Sequence, residues 1–174
     1  MSLETWKAEF YPVSAGSKSW GKLKALEHSL KKWRGLRKKN LDKHGVTKEL
    51  DSSDLNYSEN GVDWTFFVDA RSCALCKLYL PKEGQEGTCS KCPLFEARGR
   101  RCDRADVPLG VSPYRDFKEY SNPEPMIKLI EKALRTLRAK ERHKKFCKKC
   151  NRDLKTIYDG CMNSSCPQKK EPCL

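Results

Sequence analysis

CALCKLYLPKEGQEGTCSKCPLFEARGRRC, residues 73–102, is the stretch on which the reading of this chain turns. It holds two CxxC units, Cys73 with Cys76 and Cys89 with Cys92, with twelve residues between them. Zinc takes four soft ligands at tetrahedral angles, and a CxxC turn brings two thiolates from one tight loop to one side of the ion. The connection contains PKEG and QEG, turn-prone pieces that return the chain so that the second pair closes the shell. The spacing predicts structural zinc on Cys73, Cys76, Cys89 and Cys92, ahead of a disulfide, unligated thiols or redox chemistry. Cys102 follows in the basic RGRRC, as a substitute ligand or as a spare buried thiol.

A second cysteine group closes the chain in FCKKCNRDLKTIYDGCMNSSCPQKK, residues 146–170. Cys147 and Cys150 form a CxxC, and Cys161 and Cys166 follow with four residues between them. LKTIY alternates like a strand, and Asp159-Gly160 is a strong turn signal. Together they predict a zinc ribbon with Cys173 as an alternative fourth ligand, so two Zn²⁺ sites are expected. His143 offers a Cys₃His variant of that shell, whereas His28 and His44 read as solvent-exposed or helix-end residues.

A staple beyond the core is expected because the core is thin. Of 174 residues 37% are hydrophobic and 34% charged, and the mean hydropathy is −0.81. Chains short of apolar surface are stapled by disulfides or by metal. The N-terminal MSLETWKAEFYPVS lacks the basic start and apolar run of a secretory signal, and no stretch approaches about 18 consecutive apolar residues. The expectation is a reducing cytoplasm, in a bacterial cell or a phage-infected host, where paired CxxC units favour zinc over disulfides.

The net charge of +13 is concentrated at the two ends. Basic residues outnumber acidic ones 11 to 4 in residues 1–45 and 14 to 5 in 126–174, against 1 to 6 in 46–70 and 10 to 8 in 71–125. Such a distribution points to a polyanionic partner.

Around the clusters the pattern is mixed. Residues 1–20 carry Trp6, Phe10, Tyr11 and Trp20 and read as an irregular, aromatic-pinned arm. From Lys22 to His44, Leu23, Leu26, Leu30 and Trp33 form a helical stripe, with Ser19 to cap it and Gly45 to end it. Gly35 weakens its middle by about 1 kcal/mol relative to Ala, consistent with two shorter helices. Residues 46–62 read as an acidic loop, and DWTFFVDA as a strand. Pro108, Pro113, Pro123 and Pro125 keep the next region irregular. Ser121 and Glu124 then offer a capping box for a helix striped by Met126, Ile130, Leu134 and Leu137.

LKALEHSLKKWRGLRKKNLDKHGV (residues 23–46) and SCALCKLYLPKEGQEGTCSKCPLFEARGRRC (residues 72–102) together resemble small cysteine-rich zinc-binding proteins of bacteria and phages. The resemblance extends over about residues 20–105. It implies metal binding by Cys73, Cys76, Cys89 and Cys92, with Cys102 as a partner, and brings no activity with it.

The expected architecture is a small zinc-stabilised α+β chain. A basic N-terminal helical region with an acidic linker (1–62) precedes a four-cysteine region (63–120), then a helix and zinc ribbon (121–174). The leading function is an accessory or regulatory protein that binds nucleic acid, DNA or RNA. Lys31, Lys32, Arg34, Arg37, Lys38 and Lys39 form one basic set; Arg135, Arg138, Arg142, Lys144, Lys145, Lys148 and Lys149 form the other. Phosphate neutralisation by such residues needs no sequence readout. The alternative is a protein-interaction adaptor or inhibitor that uses the ribbon as a rigid platform and Trp6, Phe10, Tyr11 and Trp20 as anchors. An enzyme is not expected, because the chain holds no GxxxxGK[ST], GxGxxG, GxSxG or HExxH. A metal or cysteine enzyme is the weakest alternative.

Overall fold

The leucine stripe after Gly21 does form helix. In a computed structural model, which describes residues 2–15, 20–49, 51–59, 61–79, 89–104 and 110–147, Lys22–Gly35 is one helix and Lys38–His44 a second. The break falls where Gly35 predicts it, and Gly45 ends the second helix at φ 65°, a left-handed conformation that glycine adopts at little cost. Ser19 lies outside the described residues, and the N-cap position is Gly21.

Leu3–Phe10 forms helix α1, so that Lys22–Gly35 is α2 and Lys38–His44 is α3. The irregular arm read for residues 1–20 is thus corrected over its first half. A local device makes this helix: Thr5 N donates to Ser2 Oγ (3.2 Å) while Ser2 N donates to Thr5 Oγ1 (2.9 Å). This is a reciprocal cap built with Thr where Glu or Gln is the usual signal. Leu3 and Trp6 are then buried on one face, and Trp6 Nε1 donates to the Gly35 carbonyl at 2.9 Å.

That contact explains Gly35. A Cβ there would overlap Phe10 Cγ and stand only 2.5 Å from Phe10 Cβ, which is tied to the α1 backbone and cannot swing away. Gly35→Ala is expected to destabilise the protein by about 1–3 kcal/mol through overpacking, despite alanine's better helix propensity. Urea unfolding of the variant checks this, and an unchanged or higher midpoint would refute it.

The segment 46–62 is not simply a loop. Thr47–Lys48 (β1), Asp54–Glu59 (β2) and Val62–Phe67 (β3) form an antiparallel sheet in the order β1-β2-β3, with Asp54 opposite Phe67 and Glu59 opposite Val62. Among the described side chains of β2 only Leu55 is fully buried, so the strand carries little apolar signal. Its ladder is made of backbone groups, which sequence composition does not report. The DWTFFVDA strand is present as β3.

Beyond β3 the chain forms short helices: α4 (Ala74–Tyr79), α5 (Pro93–Arg98) and α6 (Pro113–Tyr120), then the long α7 (Glu124–Cys147). Pro113 does not keep its region irregular; it occupies the first turn of α6, where its missing N–H costs nothing, and Ser112 Oγ accepts from Arg115 N at 3.1 Å. Ser121 does not cap α7 either. It ends α6 at φ 55°, and Asn122 Oδ1 accepts the Glu124 N–H at 3.2 Å instead.

The chain divides into two compact units, Met1–Thr136 and Leu137–Leu174. The first is an α+β unit. Its core joins Trp6, Leu26, Leu36 and Leu55 with Leu75, Phe117, Ile127 and Ile130, all 1% exposed or less. Trp33 packs edge-on against Phe117, ring centroids 5.1 Å apart. Of the second unit the backbone is described to Cys147, as the continuation of α7. Among the described residues no helix is long and apolar enough to cross a membrane.

Candidate metal centre

Four short pieces of backbone carry the central cysteines. A 3₁₀ turn, Ala70–Ser72, begins with Asp69, whose Oδ1 accepts from Arg71 N at 2.8 Å, and delivers Cys73 at its end. Cys76 follows on the first turn of α4, where Lys77 N donates to the Cys73 carbonyl at 3.0 Å. Cys89 opens a second 3₁₀ turn, Cys89–Lys91, and Cys92 is the N-cap of α5 with Pro93 behind it. Gly99, at φ 83°, then reverses the chain. Arg98 Nη1 donates to the carbonyls of Arg101 (2.7 Å) and Arg104 (2.8 Å), and Tyr114 N donates to the Cys102 carbonyl at 3.2 Å, so Cys102 is held from α6 as well.

All five cysteines, Cys73, Cys76, Cys89, Cys92 and Cys102, are unpaired thiols and line one cavity of about 230 Å³. Its walls are otherwise mostly apolar, with Trp33, Val68, Leu75, Leu94 and Ile130 among them. Cys102 therefore shares the site with the two CxxC pairs. Among the described residues, however, no three His, Cys, Asp or Glu side chains converge closely enough to hold a single ion as they stand. The thiols surround a space; they do not gather at a point.

The electrostatics are set by burial and by one lysine. The Cys73 thiol is held well below its ordinary value by a hydrogen bond with the Cys76 thiol, assisted by the charge of Lys32, and Cys76 is correspondingly raised. Burial pushes Cys92 up to about 11 and Cys102 up to about 12. These two are neutral thiols unless a cation draws off their protons, which is how metal binding couples to proton release.

Lys32 is 1% exposed. Its Nζ donates to the Ser72 carbonyl (2.9 Å) and to Ser72 Oγ (3.1 Å), both neutral partners. Burial lowers its pKa, while the Cys73 thiolate and the Asp69 carboxylate work in the opposite direction. Read as a nucleic-acid contact from the charge run, Lys32 instead lines the cysteine cavity. Ser29, one helical turn earlier on the same face of α2, lines the cavity too. It is 1% exposed, and its hydroxyl has no hydrogen-bond partner among the described residues. Neither residue stood out as part of a metal site. The only signal was their spacing of three, within the turn of α2 that also holds Trp33.

The rest of the N-terminal basic set is largely engaged with carboxylates. Arg34 pairs with Glu131 (2.9 Å), Arg37 with Glu124 (2.7 Å) and Lys38 with Asp42 (2.7 Å), while Lys31 and Lys39 are exposed. In α7, Lys128, Lys132 and Arg135 are exposed at spacings of four and three, opposite the buried Ile127, Ile130 and Leu134. In the second unit, Arg138 and Arg142 are exposed at a spacing of four. The side chains of His143, Lys144, Lys145 and Cys147 lie outside the described residues, as do Lys148, Lys149, Cys150, Cys161, Cys166, Cys173 and the strand and turn read between them.

The aromatics and histidines also differ from expectation. Trp6 and Trp20 are buried core residues, not surface anchors, and Phe10 and Tyr11 are half-buried. The exposed large apolar residues include Val62, Trp64 and Phe67 of β3. His44 does end a helix but is buried, with Nδ1 2.8 Å from Thr5 Oγ1 and Nε2 3.0 Å from Glu9 Oε2. His28 is half-buried between Tyr11 and Trp20, and burial lowers its pKa.

No protein family, curated protein or solved structure matches the chain.

Proposed function

We propose that this is a thiolate–metal protein that binds nucleic acid, an accessory or regulatory factor of a bacterium or phage. The observation that carries the metal half is the single cavity lined by Cys73, Cys76, Cys89, Cys92 and Cys102 beside the buried Lys32. A buried ammonium whose hydrogen-bond partners are neutral is costly without a counter-charge. Four thiolates around a divalent ion such as Zn²⁺ carry a net charge of about −2, which supplies it. A second zinc site in the C-terminal cysteines belongs to the same proposal. Metal analysis of protein purified under reducing conditions tests both, and metal-free protein would sink them.

The nucleic-acid half rests on α7. Lys128, Lys132 and Arg135 are exposed on one helix face, the arrangement that meets a row of phosphates. Arg34 and Arg37, held by Glu131 and Glu124, contribute less. Replacing Lys128, Lys132 and Arg135 together by glutamine is expected to weaken binding to duplex DNA or structured RNA at low salt and to flatten its salt dependence by about three charges. The same substitutions at Arg34 and Arg37 should change it little. Gel shifts at two salt concentrations decide this, and equal loss from both sets would refute the assignment.

An adaptor role is the second reading. Its support is the exposed Val62, Trp64 and Phe67 on β3, an edge strand of the sheet. A partner that survives nuclease treatment in a pull-down, and is lost on Trp64→Ala, would favour it.

A further inference from the structure

We propose that the central cavity holds an iron–sulfur cluster, ligated by four of Cys73, Cys76, Cys89, Cys92 and Cys102 and contacted from α2 by Ser29 and Lys32. This deepens the thiolate–metal reading and rests on it.

Three observations lead there. The first is size. A single zinc ion draws its four sulfurs to about 2.3 Å from one point. The five cysteines line a cavity of about 230 Å³, far larger than one ion. In an iron–sulfur cluster each thiolate binds its own corner or edge of a polynuclear core, so the ligands ring a volume. Cys73 and Cys76 share a hydrogen bond, as adjacent members of one CxxC turn.

The second is the orphaned hydroxyl. Ser29 Oγ is buried at the cavity wall without a partner among the described residues. A buried hydroxyl left unpaired costs about 1–3 kcal/mol, so such a group implies an acceptor in the space it faces. The inorganic and thiolate sulfurs of a cluster are acceptors, and hydrogen bonds to them tune its potential. The third is Lys32, one turn further on, with three N–H donors and two neutral partners. Its charge opposes that of a four-thiolate cluster, in surroundings whose Trp33, Val68, Leu75, Leu94 and Ile130 restrict water. Such a site is dry, anionic and supplied with donors.

The full chain, overproduced with iron and purified without oxygen, is expected to carry iron and acid-labile sulfide in equal amounts with visible charge-transfer absorption. Both should be lost together in the full-chain Cys73→Ser, Cys76→Ser variant. Stoichiometric zinc without sulfide at these cysteines would overturn the cluster and leave the thiolate–metal reading standing. Protein with no metal at the central cysteines would overturn both. Iron and sulfide undiminished in the double variant would place the cluster elsewhere and overturn the proposal. Ser29→Ala removes one small hydroxyl, and Lys32→Met keeps the stem while removing the charge. Each is expected to lower the midpoint potential of the cluster, because each withdraws stabilisation from the more negative, reduced form. Potentials equal to the wild type in both variants would overturn the placement beside α2.

Discussion

Chelation of the full chain under reducing conditions is expected to unfold the segment from Ala70 to Arg104 while α2 and the first turns of α7 remain protected. The reason is the poverty of that segment's own structure. Its described residues form two 3₁₀ turns and two six-residue helices. Isolated helices shorter than about 12 residues are marginal in water. Their buried anchors are few: Ala74, Leu75, Pro93 and Leu94. Binding of a thiolate-held structural metal supplies about 10–16 kcal/mol in zinc-finger peptides, as much as the whole stability of an ordinary domain, about 5–15 kcal/mol. Hydrogen exchange read along the chain measures the effect. Amides of α4 and α5 should lose protection on chelation and in the Cys73→Ser, Cys76→Ser variant, and those of Leu26 to Trp33 should keep most of theirs. If the chelated protein retains the protection of α4 and α5, these cysteines hold no structural metal.

Trp6→Ala is expected to cost about 3–5 kcal/mol, a large fraction of what holds the first unit together. Trp6 is fully buried, with its ring 5.3 Å from that of Phe66 on β3 and 6.1 Å from that of Phe10. It links α1 to the sheet, and its Nε1 donates to the Gly35 carbonyl at the end of α2. Truncation leaves a large cavity and removes the donor that satisfies a carbonyl at a helix C-terminus. Urea unfolding followed by fluorescence of the three other tryptophans, Trp20, Trp33 and Trp64, measures the loss. A change under about 1 kcal/mol would mean that α1 is not an integral part of the unit. Phe10 and Gly35 meet in the same place, so this variant and Gly35→Ala should be non-additive.

Where local chemistry is strong, it was readable in one dimension. The leucine stripe and Gly35 mark α2 and its end, Gly45 marks the end of α3, and the aromatic run after Val62 marks β3. Helix α1 was missed because its cap is built from Ser2 and Thr5, a pair with no usual signature, and because Trp6 and Phe10 among polar residues read as a loop. The strand β2 was missed because a ladder of backbone hydrogen bonds, with Leu55 the one fully buried side chain among those described, leaves almost no pattern in composition. Charge runs do not show which partner each residue meets. Lys32, Arg34 and Arg37 look alike in sequence, yet one lies in the cysteine cavity and two meet Glu131 and Glu124, residues about ninety to a hundred positions away.

By itself the sequence determined the local elements whose signals lie within a few residues: the amphipathic helices, their glycine ends, and the pairing of cysteines by CxxC turns. A turn of helix or a CxxC loop has its geometry written in neighbouring side chains, because the forces that make it are short-range. Only the tertiary structure decided that Cys102 joins the two CxxC pairs around one cavity, that Ser29 and Lys32 face it from α2, and that Trp6 and Trp20 are core. Those facts depend on which distant segments are brought together when apolar surface is buried, and the energy of that burial is indifferent to separation along the chain. The lysine that charge counting assigned to a nucleic-acid face lies instead beside the cysteines, because α2 buries Ser29, Lys32 and Trp33 together.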